Sequence, residues 1–335
     1  MNNTTITQQH IEDIDSEITW KKGTNILGHV DTLDDYFYAH ITLSNGYELE
    51  VYFNDESLYE LLEEKFLVRK SGAGTNTKGK IYFNSKKLER AYGIFDDITN
   101  EAYIEGDGFG IFKSAISGLA TLLGCQDNGI LPVHGSAIYS DSIGGVSLIG
   151  AHRVGKTTGL LNIAHILGEG NIISDDWLQA QIGEKSMSVS TTDNSISLST
   201  RTVQENPHIP QLNTSKVLGD VKRRKTSYKP SDLLGSRFIE TTSEIEINSI
   251  ILLVTGVKDA VTILGNDITN VPSFITGATY HFPYYTVSIR ERHKGIWQSG
   301  LERIKPKIIV FDHSHFEMMV DGYATLVDIL VRGKK

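Results

Sequence analysis

The stretch GGVSLIGAHRVGKTT, Gly144 to Thr158, decides the fold. Val146 to Ile149 reads as a short buried strand. GAHRVGKT, Gly150 to Thr157, fits G-x-x-x-x-G-K-[ST], and a helix-like run follows to about Leu167. Strand, glycine-bounded loop, lysine, hydroxyl and helix is the order that a phosphate cradle requires. Gly150 permits the tight turn, and Gly155 lets the backbone approach a phosphate. The cradle spans Gly150, Ala151, His152, Arg153, Val154, Gly155, Lys156, Thr157 and Thr158. Its backbone N–H groups and the helix N-terminus face the anion. Lys156 reaches the β- and γ-phosphates, and Thr157 can place its hydroxyl on Mg²⁺.

Two further groups flank this stretch. Downstream, Asn171, Ile172 and Ile173 form a short apolar strand that leads into Ser174-Asp175-Asp176. A carboxylate here can hold Mg²⁺ through water, and a second can accept the proton of an attacking hydroxyl. Asp175 is assigned the metal role and Asp176 the base role, with the reverse order left open; the alternative is an acidic loop at a strand end. Upstream, His134 lies inside the apolar run ILPVHGSAIY, residues 130 to 139. A lone histidine in a strand is commonly a satisfied core residue. Its place before Gly135-Ser136 and the cradle also fits orienting an Asp, touching a phosphate or binding metal.

HGSAIY, strand, GxxxxGKT, helix, strand and SDD, over about residues 128 to 180, resembles the catalytic core of the HPr kinase/phosphorylase family. The GKTT and HGSA strings also look like phosphoenolpyruvate carboxykinase, which shares that fold. The resemblance implies an α/β fold, an HPr-kinase/carboxykinase-type P-loop domain, here with a β-rich N-terminal region. It implies ATP and Mg²⁺ as cofactors, with Lys156 and Thr157 on phosphate and metal, one Asp as base and His134 supporting it. It also implies phosphoryl transfer to a Ser or Thr hydroxyl of a peptide or small protein. Arg153 departs from the family, which usually has Gly or another small residue there; it can add a phosphate contact or mark altered nucleotide use. The family's downstream LE-x-RG-x-G signature is not found; Arg201 and Glu205 stand nearest. Two other classes stay open. One is a small-molecule kinase or carboxykinase-like enzyme acting on a small acid; the other is a nucleotide-binding switch without catalysis.

Composition narrows the partners. With 32 Lys and Arg against 41 Asp and Glu, the net charge is −9. That balance speaks against nucleic acid or an anionic membrane surface as the main partner. The single cysteine, Cys125, leaves no intrachain disulfide framework and no cysteine-based zinc site. The polar N-terminus has no signal-peptide pattern, and no apolar run reaches the ~18 residues that span a bilayer. A cytoplasmic location is expected. The oligomeric state is left open, a homo-oligomer included.

Three regions are expected: a polar tail over residues 1–20, an N-terminal α+β region over 21–125, and a P-loop kinase-like domain over 126–335. In the second, DYFYAHITL and YELEVYF flank Ser44-Asn45-Gly46 as a hairpin. Leu58, Leu61, Leu62 and Phe66 share a helical face, residues 69–80 read as a loop, and 108–125 as a buried helix. In the third, 186–200 alternate as a polar hairpin around Asp193-Asn194, and 257–304 mix short helices with loops. The basic cluster Lys222, Arg223, Arg224, Lys225 and Lys229 reads as a solvated loop or a clamp over phosphates. Strands are expected at 246–254 and 307–311, and a closing helix from Tyr323 to Arg332. His313 and His315, two apart after a strand, are weighed as a metal pair without an evident third ligand.

Overall fold

The computed structural model describes residues 18–23, 25–30, 32–42, 48–65, 67–69, 77–88, 91–96, 98–107, 130–151, 154–174, 177–191, 196–198, 226–228, 237–240, 244–265, 267–279 and 287–333, with isolated positions within 111–123 and at 202, 206 and 234. It is a mixed α/β structure whose sheets combine parallel and antiparallel strands. Two compact units divide it, one centred on Asp15–Pro132, the other on Val133–Thr279 and Ser288–Lys335.

The first unit is a seven-stranded sheet. Its strands are β1 (Ile18–Lys22), β2 (Phe37–Thr42), β3 (Glu48–Phe53), β4 (Leu67–Arg69), β5 (Thr77–Ser85), β6 (Ala91–Asp96) and β7 (Glu101–Gly106), in the order β1-β6-β7-β5-β3-β2-β4. Period-two alternation sorts the side chains. Leu49, Val51, Phe53, Ile81 and Phe83 are buried. On that face Phe112 packs against Phe53 and Phe83, with ring centroids 5.5 and 4.7 Å away. On the other face Tyr52 stacks on Tyr82 at 5.0 Å, and Glu50 accepts from the Tyr52 hydroxyl. β2 and β3 pair antiparallel from Phe37↔Phe53 to Thr42↔Glu48, as the hairpin pattern predicts; Ser44-Asn45-Gly46 lies outside the described residues. A short helix, α1 (Leu58–Lys65), follows β3. β1 corrects the reading of 1–20 as tail throughout, because Ile18 already pairs with Ala91 of β6. A five-residue strand is too short to show its period.

The second unit carries the cradle. β8 (Ile130–Ser140) and β9 (Gly144–Gly150) form an antiparallel pair, and β9 feeds α2 (Lys156–Leu167). β10 (Gly170–Ser174), β11 (Trp177–Ile182), β12 (Met187–Thr191), β13 (Ile196–Leu198), β14 (Thr226–Tyr228), β15 (Phe238–Glu240), β16 (Ile245–Glu246), β17 (Ser249–Leu253), β18 (Val261–Leu264) and β19 (Lys307–Phe311) complete the strands. The main sheet runs β16-β12-β11-β8-β9-β17-β19-β18, with β10 joined to β8 and β15. β9, β17 and β19 are mutually parallel, while β8 and β18 run against them.

Helices α3 (Val271–Ala278), α4 (Val287–Ile304) and α5 (Met319–Arg332) belong to the same unit. Leu160, Leu161, Ile163 and Ala164 of α2 join Val146, Leu148, Ile251, Phe311, Tyr323 and Leu326 in one core. Each buried aliphatic side chain contributes about 1.5–3 kcal/mol. This burial holds α2 to the sheet, since Thr157, Thr158 and Gly159 are weak helix formers. Two expectations fail here. β12 and β13 exist but do not pair with each other: β12 pairs with β11 and β16, and β13 with β14. Residues 287–304 form one 18-residue helix. Its buried stripe is His293, Trp297, Gly300 and Leu301. Histidine and glycine within that stripe weaken its apolar signal in the sequence.

Close approach explains Gly150. A Cβ there would stand 2.6 Å from Val154 Cγ1 and 2.8 Å from the Leu253 carbonyl oxygen. The carbonyl belongs to the paired strand and cannot rotate away. Gly150→Ala should therefore lower the unfolding free energy by about 1–3 kcal/mol. Urea unfolding measures this, and an unchanged midpoint would contradict the packing.

Candidate functional site

The sheet delivers the cradle at the C-terminal end of β9. Gly150 ends the strand, and Val154 N donates to Ala151 O at 3.4 Å to start the turn. Gly155 then takes φ 95° and ψ 25°, a left-handed conformation that favours glycine. It is the N-cap of α2. No side chain caps that helix, and its first turn holds no acidic residue. The positive end of the helix therefore points into the loop, with no carboxylate from the helix's own first turn to neutralise it.

Lys156 is 6 % exposed, and its ammonium lies inside the loop. Nζ donates to Gly150 O at 2.9 Å and to Ala151 O at 2.8 Å. Thr157 is partly buried and Thr158 buried. Behind them, Asn162 donates to Thr158 O at 2.8 Å and to Asn206 Oδ1 at 2.7 Å, a buried amide pair that ties α2 to a distant segment. Spacing gave no sign of it.

His134 is 4 % exposed. The register Gly135↔Ile149 sets it beside Gly150. Its backbone N–H donates to Thr279 Oγ1 at 3.4 Å, and its Nδ1 lies 3.2 Å from Ala278 O. With the Nδ1 proton on that carbonyl, Nε2 carries the lone pair. β10 runs parallel to β9 across β8 and reaches Ser174 opposite Ala137, so both strands end toward the same edge. Asp175, Asp176, His152 and Arg153 lie outside the described residues, as does the basic cluster Lys222, Arg223, Arg224, Lys225 and Lys229.

The structure brings a second turn to this edge. After β19, Asp312 is fully buried and caps the turn His313–His315. Its Oδ1 accepts from Ser314 N at 2.9 Å and from Ser314 Oγ at 2.5 Å, and its Oδ2 accepts from Val257 N at 3.2 Å. Burial alone would raise its pKa. The hydrogen bonds from Ser314, Val257 and Gly256 outweigh that and hold the carboxyl below the ordinary aspartate value. His315 Nε2 lies 2.7 Å from Val257 O, whereas the His313 ring stands against Gly155 and stacks on Tyr323. The two rings thus have separate surroundings. The approach of His313 to Gly155 depends on strand order, which sequence spacing does not carry.

Asp312→Ala strands buried donors, so stability should fall by about 1–3 kcal/mol. The pH dependence follows from the sign of the shift. A depressed folded pKa gives stability present above the unfolded value, about 3.9, and lost as pH falls through the lower folded value. Urea titrations from neutral pH into the acid range should show the gap between wild type and Asp312→Ala closing only there. A constant gap at every pH would sink this account.

Among the described residues, no helix is long and apolar enough to cross a membrane, and no cluster of three His, Cys, Asp or Glu side chains could hold a metal ion. No family model matches the chain. No curated protein matches it either. Among solved structures, it is similar to the HPr(Ser) kinase/phosphatase from Coxiella burnetii, with 16 % identity and a TM-score of 0.25. The match covers 37 % of this chain and 66 % of that one. A likeness at that score carries no weight for function, so the reading rests on the residues themselves.

Proposed function

We propose that the chain is an HPr-kinase-like phosphotransferase that passes the γ-phosphoryl group of ATP to a Ser or Thr hydroxyl of a peptide or small protein. One observation carries the reading: an uncapped, acid-free helix N-terminus behind a left-handed Gly155, with the Lys156 ammonium inside the loop. That combination suits a polyphosphate, because donors and positive charge converge at a helix end whose own first turn carries no acid.

The roles follow. Loop N–H groups and Lys156 hold the β- and γ-phosphates, with Arg153 as a further contact. Thr157 and Asp175 hold Mg²⁺, which neutralises charge on the phosphates when bound. Asp176 accepts the proton of the incoming hydroxyl, and His134 supports it from the neighbouring strand. Its Nδ1 contact with Ala278 O favours one tautomer and leaves Nε2 an acceptor. Phosphoryl transfer needs mainly positioning and electrostatic stabilisation, which this set supplies.

The test is paired. Calorimetry with a non-hydrolysable ATP analogue and Mg²⁺ should show saturable binding, and mass spectrometry should show phosphate on Ser- or Thr-containing peptides. Tight binding with no transfer to peptide, amino acid or small alcohol would point to a switch. No binding at all would remove the cradle reading.

A further inference from the structure

The ends of three parallel strands are level. Gly150 pairs with Leu253, and Leu253 with Phe311. The cradle, the segment from Val254 to Ala260 and the turn after Phe311 therefore leave one edge of the sheet together. In parallel α/β sheets this carboxyl edge is where ligands bind.

The second and third connections are fastened to each other. Asp312 N donates to Ala260 O at 2.9 Å, Val257 N donates to the Asp312 carboxylate, and His315 Nε2 meets Val257 O. This brace presents His313 to the cradle. The ring's Cε1 lies 3.3 Å from where a Cβ on Gly155 would stand, and both ring nitrogens lie at 3.9 Å. The imidazole lies nearly parallel to the Tyr323 ring, 20° apart with centroids at 6.5 Å. Tyr323 is itself fully buried, so this backing is fixed. His313 stays partly exposed.

His134 on β8 and Ser174 at the end of β10, the strand that precedes the proposed Asp pair in sequence, lie on the other flank of β9. A nucleotide whose γ-phosphate faces that flank extends its nucleoside over β17 and β19. We propose that His313 is a nucleoside-binding residue, its imidazole forming the wall on which the base of the phosphoryl donor rests. An aromatic ring backed by a second ring suits a flat π-face. This rests on the reading of the cradle as a nucleotide site.

Calorimetry on the full chain with Mg²⁺ separates the contributions, using a non-hydrolysable ATP analogue and inorganic tripolyphosphate. His313→Ala should weaken the nucleotide by about ten-fold or more, in line with base–aromatic stacking. Tripolyphosphate affinity should stay within about two-fold of wild type. His313→Phe, which keeps a flat ring, should recover most of the nucleotide affinity. If the alanine variant fails to fold, His313→Leu, which keeps bulk but has no flat π-face, stands in: nucleotide affinity lost with tripolyphosphate affinity kept supports the wall, and unchanged nucleotide affinity or a loss shared with tripolyphosphate overturns it. Unchanged nucleotide affinity in folded His313→Ala overturns the proposal, as does equal weakening of both ligands, which would mark a phosphate or loop-propping contact. Wild type that binds tripolyphosphate as tightly as the nucleotide also overturns it, with the cradle intact. Wild type that binds neither ligand sinks the cradle reading and the wall with it.

Discussion

Lys156→Ala is expected to lower phosphoryl transfer by about 10²–10³-fold in a protein that still folds. The charge is lost where negative charge is greatest, at the bridging and γ-oxygens of the donor. The ammonium also pins the Gly150 and Ala151 carbonyls, so the loop loses two hydrogen bonds. The flanking elements do not depend on them, because β9 and α2 are anchored through Val146, Leu148, Leu160 and Leu161. Lys156→Met keeps most of the stem's packing and should lose as much activity, which assigns the effect to charge. Transfer rates and circular dichroism on both variants make the check. Full turnover by either folded protein would end the cradle assignment.

Asp176→Asn should lower transfer by about 10²–10⁴-fold, the usual span for a general base. The amide keeps the size of the carboxylate but cannot take the proton. Affinity for the Mg²⁺-nucleotide should stay within a few-fold, since in the proposed site binding is assigned to the loop and to Thr157 and Asp175. Asp175→Asn should instead blunt the Mg²⁺ dependence of nucleotide binding. Calorimetry across a Mg²⁺ series, set beside transfer assays, distinguishes the two. Exchanged phenotypes would reverse the two roles. Near-normal transfer by both variants would take the pair out of the mechanism and favour the switch.

Local features were legible in the sequence. Valine, serine, leucine and isoleucine between glycines became β9, and the run after Lys156 became α2, ended by Gly168 in a left-handed conformation. The hairpin partners β2 and β3 were readable because alternation and a turn signal agreed. What failed was pairing at a distance. Ile196–Leu198 looks like the return arm of a hairpin, yet it pairs with Thr226–Tyr228. Alternation reports which side chains share a face, not which strand lies alongside. The same limit hid the turn that stands against Gly155. Asp312, His313 and His315 invite a metal reading, and only the placement of β19 two strands from β9 turns them into a capped turn against Gly155.

The alignment of Gly150, Leu253 and Phe311 has a kinetic side. The strands of this trio are separated by long stretches of chain, and each junction closes a large loop before any ladder bond repays the lost entropy. Such non-local pairing is slow. During synthesis this edge of the sheet therefore stays unfinished until β19 has emerged. A ligand that bound at this edge would favour the aligned register through mass action.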